Sequence, residues 1–342
     1  MNQNYQFFNE DCIDGCRKHI ADNSIDLIIT DPPYGIRGDT LHKHYNRNEA
    51  NVLDGYIEIP EKEYPEFSRQ WIKQAERILK PGASIYIVSG YTNLIHILNA
   101  LKETKLKEIN HLIWKFNFGV YTKNKYISSH YHILYYVKSC KKPVFNTYCR
   151  FNSNDKNVNN GSLNYSDRED VWIINKEYKP NQTKNKNELP KKLLDKIIQY
   201  SSRENDIVCD LFLGSFSTAK VALGLKRKAV GFEKSETAFN YQIGQIKQIK
   251  FGGLLEEIKS NGNTGVQLLN QGKSWSKSEI DALLKRFAEL YKLHKIKKKV
   301  IDLLSEEFQR GYFSILNVLD KHYNRGSAKE DELRGFKYEN LE

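Results

Sequence analysis

The feature that most constrains this chain is a pair of prolines, Pro32 and Pro33, directly after a short apolar run. The run, residues 24–29, is rich in β-branched side chains and predicts a buried strand of a parallel sheet. Because each proline fixes φ and lacks an N–H, the backbone leaves the sheet in one extended conformation. The flanking residues Asp31 and Tyr34 are therefore expected at the carboxyl edge of the sheet, where open α/β sheets bind ligands.

Hydrogen-bond acceptors beside an aromatic ring suit an exocyclic amine on a nucleobase. Such an amine is a poor nucleophile because its lone pair is delocalised into the base. The Asp31 carboxylate and the Pro32 carbonyl can each accept one of its hydrogens, which frees the lone pair for attack on a methyl group. Preorganised contacts of this kind are worth about a hundred- to a thousandfold in rate. The Tyr34 ring can stack on the base for roughly 1–3 kcal/mol, which offsets the cost of extruding it from a duplex.

Residues 31–34 resemble the catalytic Asp-Pro-Pro-Tyr motif of the amino-group DNA methyltransferases, which use S-adenosyl-L-methionine. A plain turn that closes a strand also fits these four residues, so a second motif is needed. Residues 206–210 predict a buried strand, followed by a glycine turn, a helix, and the strand 228–232 with Glu233 at its end. Strand, glycine turn, helix, strand and acid are the layout of a Rossmann-type nucleotide site.

The resemblance also implies which residues bind the cofactor. The positions that match the family's glycine turn and ribose-binding acid are Asp210, Phe212, Gly214, Ser215, Phe216 and Glu233. Asp31 belongs to the catalytic motif and is also expected to contact the cofactor. Asp11 and Cys12 match the family's position near the adenine of the cofactor. Asp11 equally fits a helix N-cap.

Two departures from the family pattern leave alternatives open. The family's second glycine falls on Phe216, so either the turn is looser, or Phe216 takes an allowed conformation and its ring covers the cofactor. Many relatives carry a His-Pro-Thr-Gln-Lys-Pro-like run at the place of residues 185–190, and this chain does not. Which residues contact the methionine end of the cofactor therefore stays open. Trp114 and Lys115 match residues that wall the base pocket in the family, or else belong to the core.

The resemblance covers residues 1 to about 245, and its motif order is similar to the β group of these enzymes. It implies an α/β fold, a Rossmann-like S-adenosylmethionine-dependent methyltransferase sheet with a small C-terminal helical unit. The expected organisation is a methyltransferase domain at 1–250 (catalytic half 1–140, recognition loop 141–185, cofactor half 186–250) and a helical region at 251–342. The asparagines of residues 152–160 predict a polar recognition loop that is hard to bury and mobile.

The C-terminal region predicts three helices. Ser276 and Glu279 have the spacing of a capping box, and the two further helices are expected at 300–308 and 313–323. A glycine-containing turn between helices suggests a helix-turn-helix. Lysines at 292–299 suit phosphate contacts, so DNA binding and dimerisation are both open for this region.

Composition narrows the class of partner. A formal net charge of +11 fits a polyanion such as double-stranded DNA. Five scattered cysteines suggest neither a disulfide framework nor a metal site, and no Pro-Cys pair offers the nucleophile of cytosine-C5 methylation. The sequence shows no signal peptide and no membrane-spanning run, which predicts a cytoplasmic protein without membrane contact.

These features predict a site-specific DNA methyltransferase that moves a methyl group from S-adenosyl-L-methionine to the N6 amine of adenine after base flipping. Adenine is favoured because Asp before Pro-Pro-Tyr is commonest in adenine-N6 enzymes of the resembled family. The alternatives are a cytosine-N4 enzyme, a non-catalytic DNA-binding relative, and a methyltransferase of RNA or protein amides. A cognate restriction endonuclease and a homodimer are the further partners that the resemblance suggests.

Overall fold

A computed structural model describes residues 4–33, 59–117, 119, 121, 123–138, 142–157, 161–177, 188–255, 270, 274–310 and 312–323. The chain divides into two compact units, Met1–Ile258 and Lys259–Glu342. Within the residues just given, no helix is both long and apolar enough for a bilayer span.

The first unit is built on one eight-stranded sheet. Its strands are β1 (Tyr5–Phe8), β2 (Ile25–Thr30), β3 (Leu79–Ser89), β4 (Leu106–Lys115), β5 (His130–Lys138), β6 (Val171–Ile173), β7 (Ile207–Asp210) and β8 (Lys228–Phe232). They lie in the order β1-β8-β7-β2-β3-β5-β4-β6. Only β5 runs antiparallel to its neighbours, and all other pairs are parallel. Seven strands therefore end at the same side of the sheet, which we call the carboxyl edge.

Helices cover both faces of this sheet. They are α1 (Cys12–His19), α2 (Tyr64–Ile78), α3 (Leu94–Lys102), α4 (Leu163–Asp167), α5 (Lys191–Ser201), α6 (Ser217–Gly224) and α7 (Glu236–Ile246). Ile28 of β2 packs into the core with α1, α2 and α3, whereas Leu27 and Ile29 pack into the core with α5 and α6. This burial on both faces explains why β2 is a continuous apolar run rather than an alternating one.

Strands β7 and β2 are neighbours where the direction of the chain crossovers reverses. From β7 the chain continues to β8 on one side, and from β2 it continues to β3 on the other. Such a reversal leaves a crevice at the carboxyl edge, the usual ligand site of an open α/β sheet. The register pairs Ile28 with Cys209, so the ends of the two predicted motif strands lie side by side.

The described part of the second unit, residues 270, 274–310 and 312–323, contains three helices, α8 (Lys277–His294), α9 (Lys297–Phe308) and α10 (Tyr312–Tyr323). The hydroxyl of Ser276 accepts a hydrogen bond from the Glu279 amide at 3.2 Å, which is the N-cap that the sequence predicted. The three helices share an apolar core that includes Leu283, Phe287 and Ile315.

Gly231 allows β8 to approach β7 closely, and this contact generates a stability prediction. A Cβ on Gly231 would lie 2.3 Å from the Asp210 carbonyl oxygen, a backbone atom of the paired strand. We expect Gly231→Ala to lower the free energy of unfolding by about 1–3 kcal/mol, since neither strand can yield without breaking its ladder. Urea denaturation followed by circular dichroism measures the change.

Gly244→Ala is the matched control, because a Cβ at Gly244 in α7 meets nothing within 4 Å. Alanine there should leave stability unchanged or raise it by up to about 1 kcal/mol through helix propensity. Equal unfolding midpoints for the two variants would contradict the close approach of β7 and β8.

Candidate active site

The carboxyl edge brings the predicted motif residues into one row. Strands β1, β8, β7 and β2 are consecutive in the sheet. Asp11 follows β1, Glu233 follows β8, Asp210 ends β7 and Asp31 follows β2. Four strands at a spacing of roughly 4.8 Å span about 14 Å, a suitable width for a nucleotide-sized ligand. Tyr34, the predicted stacking residue, lies outside the described residues.

Asp210 joins the two motifs through its buried carboxylate. Thr30 Oγ1, at the end of β2, donates a hydrogen bond to Asp210 Oδ1 at 3.1 Å. The amide of Phe212 donates to the same oxygen at 3.1 Å. Burial raises the pKa of Asp210 to about 7, although hydrogen bonds from Thr218, Phe212 and Thr30 oppose the shift. Asp210 therefore holds the turn after β7 against the strand that leads to Asp31.

The glycine turn is fixed by Glu233. The Gly214 amide donates to Glu233 Oε2 at 2.8 Å, and the Ser235 amide donates to Glu233 Oε1 at 2.8 Å. Burial raises the pKa of the Glu233 carboxyl, while the backbone donors act against that rise. Each carboxylate oxygen has two lone pairs, so Glu233 retains acceptor capacity for a ligand hydroxyl. Gly214 itself has a φ of 50°, in the left-handed region that glycine reaches without strain.

Phe216 occupies the position where the resembled family has its second glycine. Its φ of 58° and ψ of 22° are left-handed, so the backbone keeps the conformation that a glycine would take. The ring is fully buried, with edge-to-face contacts to Phe7 at 5.1 Å and Phe239 at 6.0 Å between ring centroids. The expectation that this ring covers the cofactor therefore differs from the structure, in which the ring is part of the core.

The hydroxyl of Ser215 is connected through Ser217 to Glu188, a residue that the sequence analysis did not identify. The Ser215 hydroxyl lies 2.7 Å from the hydroxyl of Ser217, which donates to Glu188 Oε1 at 2.9 Å. Glu188 belongs to the segment before α5 that departs from the family pattern. The departure was visible in the sequence, but the partner of Glu188 was not, because the two residues meet only through the fold.

Asp11 and Cys12 begin α1. Asp11 Oδ1 accepts a hydrogen bond from the Ile13 amide at 2.8 Å, so the N-cap alternative is observed. Its second oxygen lies 3.8 Å from Lys234 Nζ, an exposed ion pair of small energetic value. Cys12 is buried, and burial raises the pKa of its thiol well above the ordinary value. A thiol in such surroundings is unreactive, which suits a packing role.

The Pro-Pro segment is held by a tyrosine that no sequence motif singles out. The hydroxyl of Tyr64, a fully buried residue of α2, donates to the carbonyl of Pro33 at 2.8 Å. Pro32 is buried, and Asp31 is half-buried. The backbone that carries Asp31 is therefore fixed at both ends, by β2 before it and by Tyr64 after it.

Trp114 is a core residue close to the carboxyl edge. It is buried, and its indole N–H donates to the carbonyl of Ile174 at 2.7 Å. Lys115 extends instead to the carbonyl of Phe116, at 2.9 Å. Of the two alternatives for Trp114, the core placement is the one observed.

The structure describes residues 142–157 and 161–177 of the predicted recognition loop, and several of their side chains contact α5. Arg150 pairs with Asp167 at 2.9 Å in the same segment and with Asp195 of α5 at 2.7 Å. The buried amide of Asn164 donates to the carbonyls of Thr147 and Phe151 at 2.7 and 2.8 Å. The asparagines behind the expectation of a polar segment that is hard to bury agree with it where they are described, since Asn152 and Asn154 are exposed. Two other polar residues of the segment, Arg150 and Asn164, are held by these ion pairs and amide hydrogen bonds. Among all the residues that the structure describes, no group of three or more histidine, cysteine or acidic side chains is placed to hold a metal ion.

The raised pKa of Asp210 predicts an unusual pH dependence of stability. Between about pH 4 and pH 7 the carboxyl is protonated in the folded protein and ionised in the unfolded chain, so unfolding releases a proton. Stability should therefore fall as pH rises, by up to about 1.4 kcal/mol per pH unit. Asparagine has no ionisable carboxyl, so the Asp210→Asn variant lacks this pH dependence. The free energy of unfolding of the wild type, minus that of the variant, should therefore decrease as the pH rises from 4 to 7. A difference that is constant or rises with pH would show that the carboxyl is ionised in the fold.

Comparison with known proteins identifies a family. The sequence model of the DNA methylase family matches residues 25–244. Type II methyltransferase M.HpaI of Haemophilus parainfluenzae is 32% identical over 225 residues, which cover 63% of this chain and 66% of that protein. Type II methyltransferase M.BamHI of Bacillus amyloliquefaciens is 31% identical over 246 residues, which cover 67% of this chain and 54% of that protein. The matches thus span about two thirds and about half of these relatives.

Solved structures share the fold. A putative DNA modification methylase from Thermus thermophilus, complexed with S-adenosyl-L-methionine, superposes with a TM-score of 0.52 at 17% identity, covering 71% of this chain and 93% of that chain. The cytosine-N4-specific PvuII DNA methyltransferase gives 0.52 at 16% identity, covering 75% and 94%. The predicted Rossmann-like methyltransferase fold is thereby confirmed. Because the family model matches more than half of the chain, the chain belongs to the DNA methylase family.

Proposed function

We propose that the chain is a site-specific DNA methyltransferase that transfers a methyl group from S-adenosyl-L-methionine to the N6 amine of adenine in duplex DNA. The observation that carries the proposal is the junction of β2 and β7, where the Thr30–Asp210 hydrogen bond holds the catalytic motif against the glycine turn. A site for the base and a site for a nucleotide cofactor are adjacent there. Base flipping follows from this geometry, because a stacked base cannot reach acceptors at the edge of a sheet.

The residues of the glycine turn fit the cofactor. The Glu233 carboxylate suits the ribose hydroxyls, and Gly214 leaves the turn free of a side chain there. The hydroxyl pair of Ser215 and Ser217, with Glu188 behind it, suits the amino-acid end of the cofactor. When bound, S-adenosyl-L-methionine supplies the electrophilic methyl group.

Asp31 and Pro32 activate the amine. The carboxylate and the carbonyl accept its two hydrogens, so its lone pair leaves the plane of the base. Tyr64 contributes by fixing the carbonyl of Pro33, the next peptide along, so these acceptors do not reorganise during the reaction. Transfer is then a direct in-line displacement without a covalent enzyme intermediate. Tyr34 is proposed to stack on the extruded base.

The test of the function uses the full chain, tritiated S-adenosyl-L-methionine and unmethylated duplex DNA of mixed sequence, followed by nucleoside analysis. N6-methyladenine is the expected product. N4-methylcytosine would keep the site and overturn the choice of base. Bound cofactor without labelled DNA would favour an acceptor in RNA or protein, and absence of cofactor binding would favour a non-catalytic DNA-binding relative. A cognate endonuclease, a homodimer and a cytoplasmic location stay predictions.

Asp31→Ala should remove catalysis without removing cofactor binding. We expect the rate of methyl transfer at saturating substrates to fall by at least about a hundred- to a thousandfold, because an acceptor that acts in the transition state is lost. The cofactor Kd, measured by calorimetry, should stay within about threefold. Asp14→Ala is the matched control, since Asp14 is an exposed acid on α1 whose ion pair, with Arg17, spans one helical turn. Retained turnover in Asp31→Ala would remove the proposed role.

Glu233→Gln should weaken cofactor binding and change the catalytic rate far less. A charged hydrogen-bond acceptor contributes about 1.5–3 kcal/mol, so we expect the KM for S-adenosyl-L-methionine to rise roughly 10- to 150-fold. The rate at saturating cofactor should change far less, because the amide oxygen still accepts from the Gly214 or Ser235 amide. If kcat falls while KM stays constant, the ribose assignment is wrong.

A further inference from the structure

The second unit concentrates exposed positive charge at one end. Helix α8 finishes beside the start of α9, because only Lys295 and Ile296 separate them. The end of α10 returns to the same place, since Lys297 Nζ lies 3.7 Å from Asp320 Oδ1. We call the lysines that belong to this end of the helices the basic end; they are Lys292, Lys295, Lys299 and Lys321, and all four are exposed.

The lysines of the basic end differ in their pairing from the two arginines that the structure describes in the second unit, Arg286 and Arg310. At the opposite end, Arg310 makes two contacts with Glu279, at 2.7 and 2.9 Å. Along α8, Arg286 contacts Glu289 at 2.9 Å and Glu307 at 3.0 Å. None of the four lysines of the basic end forms an ion pair with any residue that the structure describes, and Asp320, an acid at the same end of the helices, is engaged by Lys297. Both arginines are therefore neutralised away from the basic end, whereas its lysines are left in solvent.

Helix stability accounts for only some of these lysines. Lys292 and Lys321 lie in the last turns of α8 and α10, where the helix dipole favours positive charge, but Lys299 does not. Residues 297–299 place three lysines in the first turn of α9, where the helix dipole disfavours positive charge, and that turn holds no acid. The need for a solvated surface does not explain the residues that precede this turn either, because they include exposed aliphatic side chains. Leu293 and Ile296 are 74% and 60% exposed between the lysines, so large aliphatic side chains and cations face solvent together. Such a mixture is typical of a surface that contacts a macromolecule.

We propose that the basic end of the second unit binds the phosphate backbone of duplex DNA, through a surface additional to the catalytic edge. The family match stops at residue 244, before this unit begins, so the family relationship assigns no role to it. A polyanion complements the four lysines, and the net charge of +11 shows that the chain as a whole favours such a partner. Lysine contacts to phosphate position a protein on DNA without reading sequence. The choice of DNA rests on the proposed function.

The test replaces all four lysines of the basic end by glutamine and measures binding to a labelled mixed-sequence duplex by fluorescence anisotropy, without cofactor, over a range of salt concentrations. Each lost phosphate contact should reduce the slope of log K against log salt by about 0.9, so we expect a total reduction of about 3–4. At about 0.1 M salt, affinity should fall at least about tenfold.

The matched control makes the same change of charge elsewhere. Lys102, Lys107, Lys277 and Lys285 are exposed lysines outside the basic end, and the variant with glutamine at all four should bind within about twofold of wild type. Thermal unfolding confirms that both variants fold. Equal affinities and slopes for the two variants would overturn the proposal. A change from dimer to monomer in light scattering, with DNA binding unchanged, would instead make the basic end a subunit interface.

A methyl-transfer assay separates this proposal from the proposed function. Substitution at the basic end should raise the KM for DNA and leave the rate at saturating DNA unchanged, since no lysine there touches the reacting atoms. If the wild type binds DNA through these lysines but methylates nothing, the surface stands and the proposed activity fails. If methylation proceeds and the four substitutions change neither KM nor the salt slope, the activity stands and the surface fails.

Discussion

The site depends on the parallel pairing of β2 with β7. The two strands are joined at their ends by the Thr30–Asp210 hydrogen bond, between residues 180 positions apart in the sequence. Without that pairing, the Pro-Pro motif and the glycine turn are two unrelated loops. With it, an acceptor pair for an amine and a turn for a nucleotide share one crevice. The close approach of β8 to β7 at Gly231 adds the third strand end and with it Glu233.

Holding these ends together has an energetic cost that the surrounding core offsets. A buried Asp210 is disfavoured as an anion, and a left-handed backbone at Phe216 costs a bulky residue about 1–2 kcal/mol. Glycine would avoid the backbone strain at that position. It would also remove a ring that is fully buried between Phe7 and Phe239, and burying a phenylalanine is worth about 1.5–3 kcal/mol. The departure from the family pattern is thus explained by packing beneath the turn.

Local patterns predicted the strands of the two motifs and the acids that follow them, but neither the short elements α4 and β6 nor the contacts that hold the site together. Strands such as β2 and β7 are visible as short apolar runs closed by Pro-Pro or by a glycine turn, and parallel strands end at one edge by geometry. The contacts of Tyr64 with Pro33, of Glu188 with Ser217 and of Arg150 with Asp195 join segments that lie far apart in the chain. A single sequence carries no signal for such pairs. The direction of the Phe216 ring was missed for the same reason, because its partners come from β1 and α7.

Helix α5 links the segment 142–177, the predicted recognition loop, to the core beneath the glycine turn. Its apolar side, with Leu193 and Ile197, packs into the same core as the glycine turn's Phe216. Its polar side holds the segment through Asp195 and through Lys196, whose ammonium lies 4.2 Å from the centre of the Trp172 ring and has its pKa lowered to about 8 by burial. The exposed positions of the segment can therefore vary without disturbing the cofactor site, because the residues that anchor it differ from those that face solvent. Tyr148 and Tyr165, both more than half exposed, lie at such positions. The anchors and the exposed side chains are thus different residues, so the surface of the segment can change without a cost to the core beneath the glycine turn.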